Sequence, residues 1–171
     1  MATPIAEEIQ RLKANGPTCL LKSLKSQKTA ALRKREKAKE NFPKKFSEEE
    51  LRKRLSVVEY AVTQLGGTDT SGSGRYLNET RDGTYHCVVC SKKLFESSAK
   101  FKHCGWPSFD RALEESIKET IERAQHGVKL TETSCSDCGA HLGHKFNDGP
   151  TETKLRYCIN GSALEFRPKT E

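Results

Sequence analysis

The sequence repeats one pattern at Cys87-Val88-Val89-Cys90 and at Cys135-Ser136-Asp137-Cys138, with forty-four residues between the two copies. Each copy can turn tightly and aim two sulfur atoms at one point, and zinc prefers four such sulfurs in a tetrahedron. A redox-active pair, or cysteines that are merely buried, would fit one copy, but neither reading requires two. The pattern therefore predicts one structural zinc ion, and the ligands are Cys87, Cys90, Cys135 and Cys138.

Short strand-like segments surround the cysteine pairs. Asp82-Gly83 is a turn signal and predicts a hairpin between residues 75–77 and 85–89. Residues 111–125 are ambiguous, since their apolar residues have helical spacing. The chain is therefore predicted to be a mainly β, mostly antiparallel domain. Further alternating segments lie at residues 128–133, 155–159 and 163–166.

Two short helices are predicted before the strands. Ser47 and Glu50 have the spacing of a capping box, with Phe46 and Leu51 placed as a hydrophobic staple. A second such box from Ser56 to Glu59 predicts a break into two helices, and Gly66-Gly67 would end the second one.

The net charge of +7 is concentrated at one end of the chain. Residues 1–46 hold twelve Lys or Arg against four Asp or Glu, whereas residues 47–171 hold eighteen against nineteen. This split predicts a basic, flexible extension over residues 1–46 and a nearly neutral globular domain over residues 47–171. It argues against a folded face that binds nucleic acid, because the domain itself carries no basic excess.

The cysteine count indicates the compartment. Seven cysteines is an odd number, and the chain opens without a secretory leader, so we expect reduced, metal-bound or catalytic thiols inside the cell. The cytoplasm is the default expectation, followed by the mitochondrion and then the nucleus. We expect no membrane span, because no stretch approaches the roughly 18 apolar residues that one requires. A monomer is the default oligomeric state.

Three cysteines remain outside the predicted zinc site: Cys19, Cys104 and Cys158. Arg156 lies two residues before Cys158 and would favour its thiolate, which is the nucleophilic form. The His141-Leu-Gly-His144 segment offers proton donors at neutral pH. The residue types alone do not place any of these groups beside one another.

Four ordered motifs give the chain a specific resemblance. In this order and over residues 47–168, they resemble the methionine-R-sulfoxide reductases of the B type. The resemblance implies two antiparallel sheets in a tent-like arrangement, short N-terminal helices, and one structural zinc opposite the active site. It also implies that residues 111–125 are largely non-helical. The motifs are Gly83-Thr-Tyr-His-Cys-Val-Val-Cys90, Cys104-Gly-Trp-Pro-Ser-Phe109, Cys135-Ser-Asp-Cys-Gly-Ala-His-Leu-Gly-His-Lys-Phe-Asn-Asp-Gly-Pro150 and Arg156-Tyr-Cys-Ile-Asn160.

The same resemblance implies a reaction. Cys158 occupies the position of the family nucleophile, which attacks the sulfoxide sulfur, releases methionine and becomes a sulfenic acid. Cys104 occupies the resolving position and would form a Cys104–Cys158 disulfide that thioredoxin then reduces. The implied substrates are oxidised proteins, with free methionine sulfoxide as the alternative, and the implied role is protein repair under oxidative stress.

The resemblance also assigns supporting residues. His144 matches the histidine that protonates the departing oxygen, and Trp106 matches the aromatic residue that receives the substrate methyl group. Core packing is the alternative for Trp106 and Phe109, and an Asp-Gly turn is the alternative for Asp148. The polar and substrate-binding support expected around them comes from Asn160, Arg156, His141, Asp148 and Phe109.

Some positions depart from the family pattern. His103 and Lys154 replace glycines, and Gly161 stands where serine is common. Residues 68–71 keep only part of the family's Gly-Thr-Glu-Pro-Pro-Phe-like segment. This loop is therefore expected to be looser or shorter than in the family.

Two competing hypotheses also fit parts of the sequence. The first is a non-catalytic zinc module whose basic extension recruits nucleic acid or another protein. The second keeps the enzyme but makes Cys19 the resolving thiol.

Overall fold

The computed structural model describes residues 41–123 and 129–170. Most of the predicted basic extension, including Cys19, lies outside these residues, so its role and the division at residue 46 stay predictions. Residues just after the undescribed part already contact the folded domain. Phe42 is buried, and the Lys44 backbone N–H donates to the Asp137 carbonyl at 2.8 Å.

Both predicted N-terminal helices are present. Helix α1 spans Glu48–Arg54, and its N-cap Ser47 accepts a hydrogen bond from the Glu50 backbone. Helix α2 spans Val57–Leu65, with a complete capping box between Ser56 and Glu59, and ends at Gly66. Capping satisfies backbone N–H groups that have no partner inside a helix, which is why two such short helices are stable here.

Within residues 41–123 and 129–170, nine strands form two antiparallel sheets, as predicted. The smaller sheet has the order β2-β1-β9, and the larger has the order β3-β4-β8-β7-β6-β5. Single turns of 3₁₀ helix, Ser97–Ala99 and Gly161–Ala163, precede β3 and β9. The strands are β1 Gly83–Cys87, β2 Lys93–Glu96, β3 Lys100–Phe101, β4 Ser108–Phe109, β5 Ile117–Arg123, β6 Lys129–Cys135, β7 His141–Phe146, β8 Arg156–Ile159 and β9 Leu164–Pro168.

The predicted hairpin at Asp82-Gly83 is wrong. Residues 75–78 form turns, and Tyr76 has a left-handed backbone with φ of 64° that a strand does not permit. Strand β1 pairs instead with β2 and β9. Residues 111–116 are irregular and residues 117–123 form β5, so the non-helical expectation for this segment is confirmed where the chain is described.

Three aromatic rings join the two sheets in the core. Phe95 of β2 stacks on Phe109 of β4 with ring centroids 4.3 Å apart, and Tyr85 of β1 meets Phe109 edge-on at 5.0 Å. All three side chains are fully buried. Because these rings come from different sheets, they fix how the sheet that carries β4 and β8 lies against its neighbour.

Gly161 explains one departure from the family pattern. A Cβ atom at this position would lie 2.1 Å from the carbonyl oxygen of Arg75, which belongs to the turn over residues 75–78. The contact involves backbone on both sides, so neither partner can rotate away. The serine that is common in the family therefore does not fit this backbone.

We expect Gly161→Ala to destabilise the fold by about 1–3 kcal/mol because the added methyl overlaps the Arg75 backbone. The measurement is the urea midpoint of unfolding. Gly74→Ala is the matched control, since its Cβ would meet nothing closer than 3.5 Å. Equal midpoints for the two variants would show that the turn at Arg75 shifts to accommodate the added methyl group without loss of stability.

Candidate active site and metal centre

Cys104 and Cys158 lie side by side. Cys158 is in β8, and Cys104 precedes β4, the strand that pairs with β8. Their Sγ atoms are 3.6 Å apart, and both residues are partly exposed. A disulfide has an S–S bond of about 2.05 Å, so the two sulfurs need only about 1.5 Å of further approach to bond. The structure therefore brings together the two thiols that the sequence singled out.

A row of side chains crosses the large sheet at Cys158. The residue pairs with Ser108 of β4 on one side and with His144 of β7 on the other, and His144 in turn pairs with Glu132 of β6. Residues paired directly across antiparallel strands project from the same face of a sheet. Cys158 therefore has a hydroxyl and an imidazole as immediate neighbours.

Arg156 shares the face of Cys158, because the two residues are two positions apart in one strand. Its guanidinium donates to both carboxylate oxygens of Asp148 at 2.8 Å and lies 3.8 Å from the Cys104 Sγ atom. It also lies over the Phe146 ring, 4.2 Å from the centroid. Asp148 is thus more than a turn residue, since it orients the cation that faces the thiol pair.

The two thiols have opposite pKa shifts. Burial and the neighbouring Cys104 raise the pKa of Cys158 to about 12, although the Arg156 guanidinium opposes this rise. Burial acts on Cys104 as well, but contacts with Ser108 and His103 outweigh it and lower the pKa of Cys104 to about 7. Near neutral pH the pair therefore begins to carry one negative charge, located mainly on Cys104.

Trp106 and Asn160 are both held by the loop over residues 68–74. The Trp106 indole N–H donates to the Asp69 carbonyl at 3.0 Å, and the Asp69 backbone N–H donates to the Asn160 side-chain oxygen at 2.9 Å. Gly72 adds a backbone bond to the Gly105 carbonyl. These bonds tie the loop to the site, while its expected looseness relative to the family stays a prediction.

Two residues that the family resemblance assigns to the site are buried. Phe109 has no exposed surface and packs between Phe95 and Tyr85, so the expectation that it contacts substrate is wrong and core packing is its role. His141 is 2% exposed, and its Nδ1 atom lies 2.6 Å from a Glu132 carboxylate oxygen. Its ring centroid lies 5.5 Å from that of His144, so it can act only through its neighbour.

The remaining departures from the family pattern are exposed. Lys154 has a left-handed backbone with φ of 55°, a conformation that favours glycine. His103 adjoins Cys104 and packs edge-on against Phe101, with centroids 6.1 Å apart. The His103 side chain also contacts the Cys104 thiol and helps to lower its pKa.

The four predicted ligands form one cluster. The Sγ atoms of Cys87, Cys90, Cys135 and Cys138 lie within 4.8 Å of one another. Cys87 ends a strand of the small sheet and Cys135 ends a strand of the large one. The donors and their spacing fit a tetrahedral thiolate site, which would bond the two sheets together.

Charged side chains surround this cluster. Asp137 accepts from Lys92 at 2.7 Å and from Lys44 at 2.9 Å, which places two ammonium groups beside the sulfurs. Gly139 has φ of 70° and lies under the Phe42 ring, where a Cβ atom would come within 2.6 Å. Glycine is therefore required at this position both by the left-handed backbone and by the close contact with Phe42.

The sequence interpretation missed two residues of the site. Asp69 lies in a Thr/Ser/Gly-rich loop, and its partner Asn160 is ninety-one positions away, so nothing local marks it. Glu132 lies in a strand that the sequence predicted, yet the register that sets it opposite His144 is not visible in an alternating pattern.

Comparison with known proteins gives consistent matches. The SelR domain matches residues 55–168. "Peptide methionine sulfoxide reductase MsrB" of Pseudomonas entomophila is 48% identical over 71% of this chain and 93% of its own length. Its counterpart in Burkholderia vietnamiensis is 48% identical over 76% of this chain and 92% of its own. "Methionine-R-sulfoxide reductase B3, mitochondrial" of Mus musculus is 46% identical over 76% of this chain, which spans about half (52%) of that longer protein.

Among the residues that the structure describes, no helix is both long and apolar enough to cross a bilayer.

We expect Cys104→Ser to bring the pKa of Cys158 below its present value of about 12, because Cys104 is one of the groups that raise it. The measurement is the pH dependence of Cys158 alkylation by iodoacetamide, followed by mass spectrometry of the peptide that contains it. Cys19→Ser is the control, with an unchanged profile. A Cys158 profile that stays the same in Cys104→Ser would contradict the electrostatic coupling.

Proposed function

Because the chain belongs to the SelR family of methionine-R-sulfoxide reductases, we propose that it reduces methionine-R-sulfoxide with Cys158 as nucleophile and Cys104 as resolving thiol. The observation that carries the proposal of a reactive thiol pair is the 3.6 Å separation of the two sulfurs, both of which are partly exposed. A pair of thiols at this distance can accept an oxygen equivalent and close into a disulfide.

The first step uses the Cys158 thiolate. It attacks the sulfoxide sulfur, the S–O bond breaks, and the oxygen moves to Cys158 as a sulfenic acid while methionine leaves. The substrate is reduced by two electrons and the cysteine is oxidised by two. In the second step the Cys104 sulfur attacks the Cys158 sulfur, the S–O bond of the sulfenic acid breaks, and the Cys104 proton passes to the departing hydroxide to give water.

The shared negative charge of the pair makes both steps possible. In the resting pair the charge lies mainly on Cys104, whose pKa is the lower one. At 3.6 Å, Cys104 is close enough to accept the Cys158 proton when substrate arrives, which leaves Cys158 as the attacking thiolate. Arg156 faces both sulfurs and stabilises the charge on either one.

His144 supplies the proton to the substrate oxygen. It projects from the same face as Cys158 on the neighbouring strand, which is the geometry that a proton donor to the attacked group requires. His141 supports it through the contact between their rings.

Trp106 selects the sulfoxide epimer. Its partly exposed ring offers an apolar surface to a methyl group, and it would leave an oxygen in that place without a hydrogen bond. Asn160 is nearly fully buried and donates to the Leu142 carbonyl at 2.9 Å, so it acts by holding the end of β8.

The four-cysteine cluster is proposed to hold one zinc ion. Four sulfur donors complete its coordination, so the metal would stabilise the fold and leave catalysis to the thiol pair.

The finer expectations about partners remain part of this proposal. Thioredoxin would reduce the disulfide, oxidised proteins would be the substrates, and the enzyme would act as a cytoplasmic monomer in repair after oxidative stress. The alternative of a non-catalytic zinc module leaves the Cys104–Cys158 pair and its Arg156 contact unexplained.

We expect Cys158→Ser to lose all measurable reduction of a dabsylated methionine-R-sulfoxide, because the nucleophile is removed. Cys104→Ser should complete one turnover and then stop with thioredoxin, while dithiothreitol restores partial activity. Cys19→Ser is the matched control and should keep full turnover. Sustained thioredoxin-driven activity in Cys104→Ser, with its loss in Cys19→Ser, would instead make Cys19 the resolving thiol.

We expect one zinc per chain by inductively coupled plasma mass spectrometry, and none after Cys135→Ser. A structural Cys₄ zinc contributes apparent binding free energies of about 10 kcal/mol or more, so the variant should lose its cooperative thermal transition. Cys19→Ser should retain both the metal and the transition. Full zinc content in Cys135→Ser would contradict the assignment of these ligands.

A further inference from the structure

The carboxylate of Asp69 takes no part in the proposed reaction. The residue lies in the loop over residues 68–74 and is only 8% exposed, although a loop aspartate is normally solvated. Its Oδ2 atom accepts a hydrogen bond from the Ser162 backbone N–H at 2.9 Å. Ser162 belongs to the 3₁₀ turn that directly follows Asn160. The side chain therefore fastens the loop to the end of β8.

The main chain of Asp69 makes two further hydrogen bonds. Its carbonyl accepts from the Trp106 indole N–H, and its N–H donates to the Asn160 side-chain oxygen. One residue thus connects the indole that faces the substrate, the residue two positions after the nucleophile, and the turn beyond it.

Asp69 gives the indole ring a fixed orientation. Trp106 is partly exposed, so packing alone leaves its ring free to tilt, and the bond from Nε1 removes that freedom. The acceptor is a backbone carbonyl, which stays in place only while the loop backbone does. The bond from Ser162 N–H to the Asp69 carboxylate helps to hold this backbone beside the ring, together with the bond from the Asp69 N–H to Asn160.

We propose that Asp69 is the positioning residue of this site, and that its carboxylate sets the Trp106 ring plane and with it the affinity and epimer preference for the sulfoxide. The kinetic part of this inference rests on the proposed function, whereas the structural part does not. Asp69 itself touches no reacting atom.

The chain contains a single tryptophan, so its fluorescence reports on Trp106 alone. Asp69→Ala removes the acceptor for Ser162 N–H and should shift the emission to longer wavelength, with about a twofold larger acrylamide quenching constant. Loss of one buried hydrogen bond corresponds to roughly a tenfold change in affinity, so KM for a methionine-R-sulfoxide peptide should rise by about tenfold. The kcat value should change far less, because the thiol pair is untouched.

Two further variants make the test specific. Asp69→Asn keeps an oxygen that can accept from Ser162, so it should restore the emission, the quenching constant and KM to near the unaltered values. Asp82→Ala removes an exposed aspartate outside the site and should change none of them. Unchanged fluorescence and KM in Asp69→Ala would overturn the proposal, as would an Asp69→Asn variant no better than Asp69→Ala.

A measurement on the unaltered protein covers the case in which Asp69→Ala does not fold. The single indole N–H gives one resonance in a ¹⁵N-labelled sample, and its exchange with deuterium should be slowed at least tenfold relative to free tryptophan. Exchange at the free rate would overturn the proposal. If fluorescence and exchange behave as expected while the unaltered enzyme does not reduce the sulfoxide, the positioning role stands and the proposed function fails.

Discussion

The register of strand β8 is the constraint on which the site depends. Pairing with β4 and β7 places Cys158 between Ser108 and His144 on one face of the sheet. A slip of a single residue would turn Cys158 to the opposite face and bring Tyr157 into its place. The register is secured by burial, since Ile159 at the end of the strand is fully enclosed in the core. The four residues of β8 therefore determine both the position of Cys158 and the packing of this strand in the core.

The four-cysteine cluster concerns a different requirement, which is that the two small sheets stay together. The rings of Phe95 and Phe109 fill the space between them, and the four sulfurs connect their strand ends. A domain of this size has a limited core, and a metal ion held by the four sulfurs would compensate for it by joining distant segments. The thiol pair gains a rigid support from this arrangement and stays separate from the ligands.

Local signals in the sequence predicted local structure well. The caps at Ser47 and Ser56 satisfy backbone groups within a few residues, so their outcome depends on little else. The turn signal at Asp82-Gly83 gave a wrong hairpin, because packing in the core, and not the nearest turn, determines which strands pair. Phe109 and Asp69 show the same limit, since burial against another sheet and a bond to Asn160 are decided by tertiary contacts. The family motifs contain most of the residues that the fold brings together around Cys158, whereas the register that joins them came only from the fold.

The close approach of the two sulfurs also bears on how far Cys158 can be overoxidised by peroxide. A cysteine sulfenic acid that lingers can meet a second peroxide and pass to sulfinic acid, which is not recovered by ordinary thiols. With Cys104 within 3.6 Å and largely deprotonated above about pH 7, intramolecular capture competes directly with that second collision. The geometry proposed to recycle Cys158 would thus also shield it from permanent inactivation.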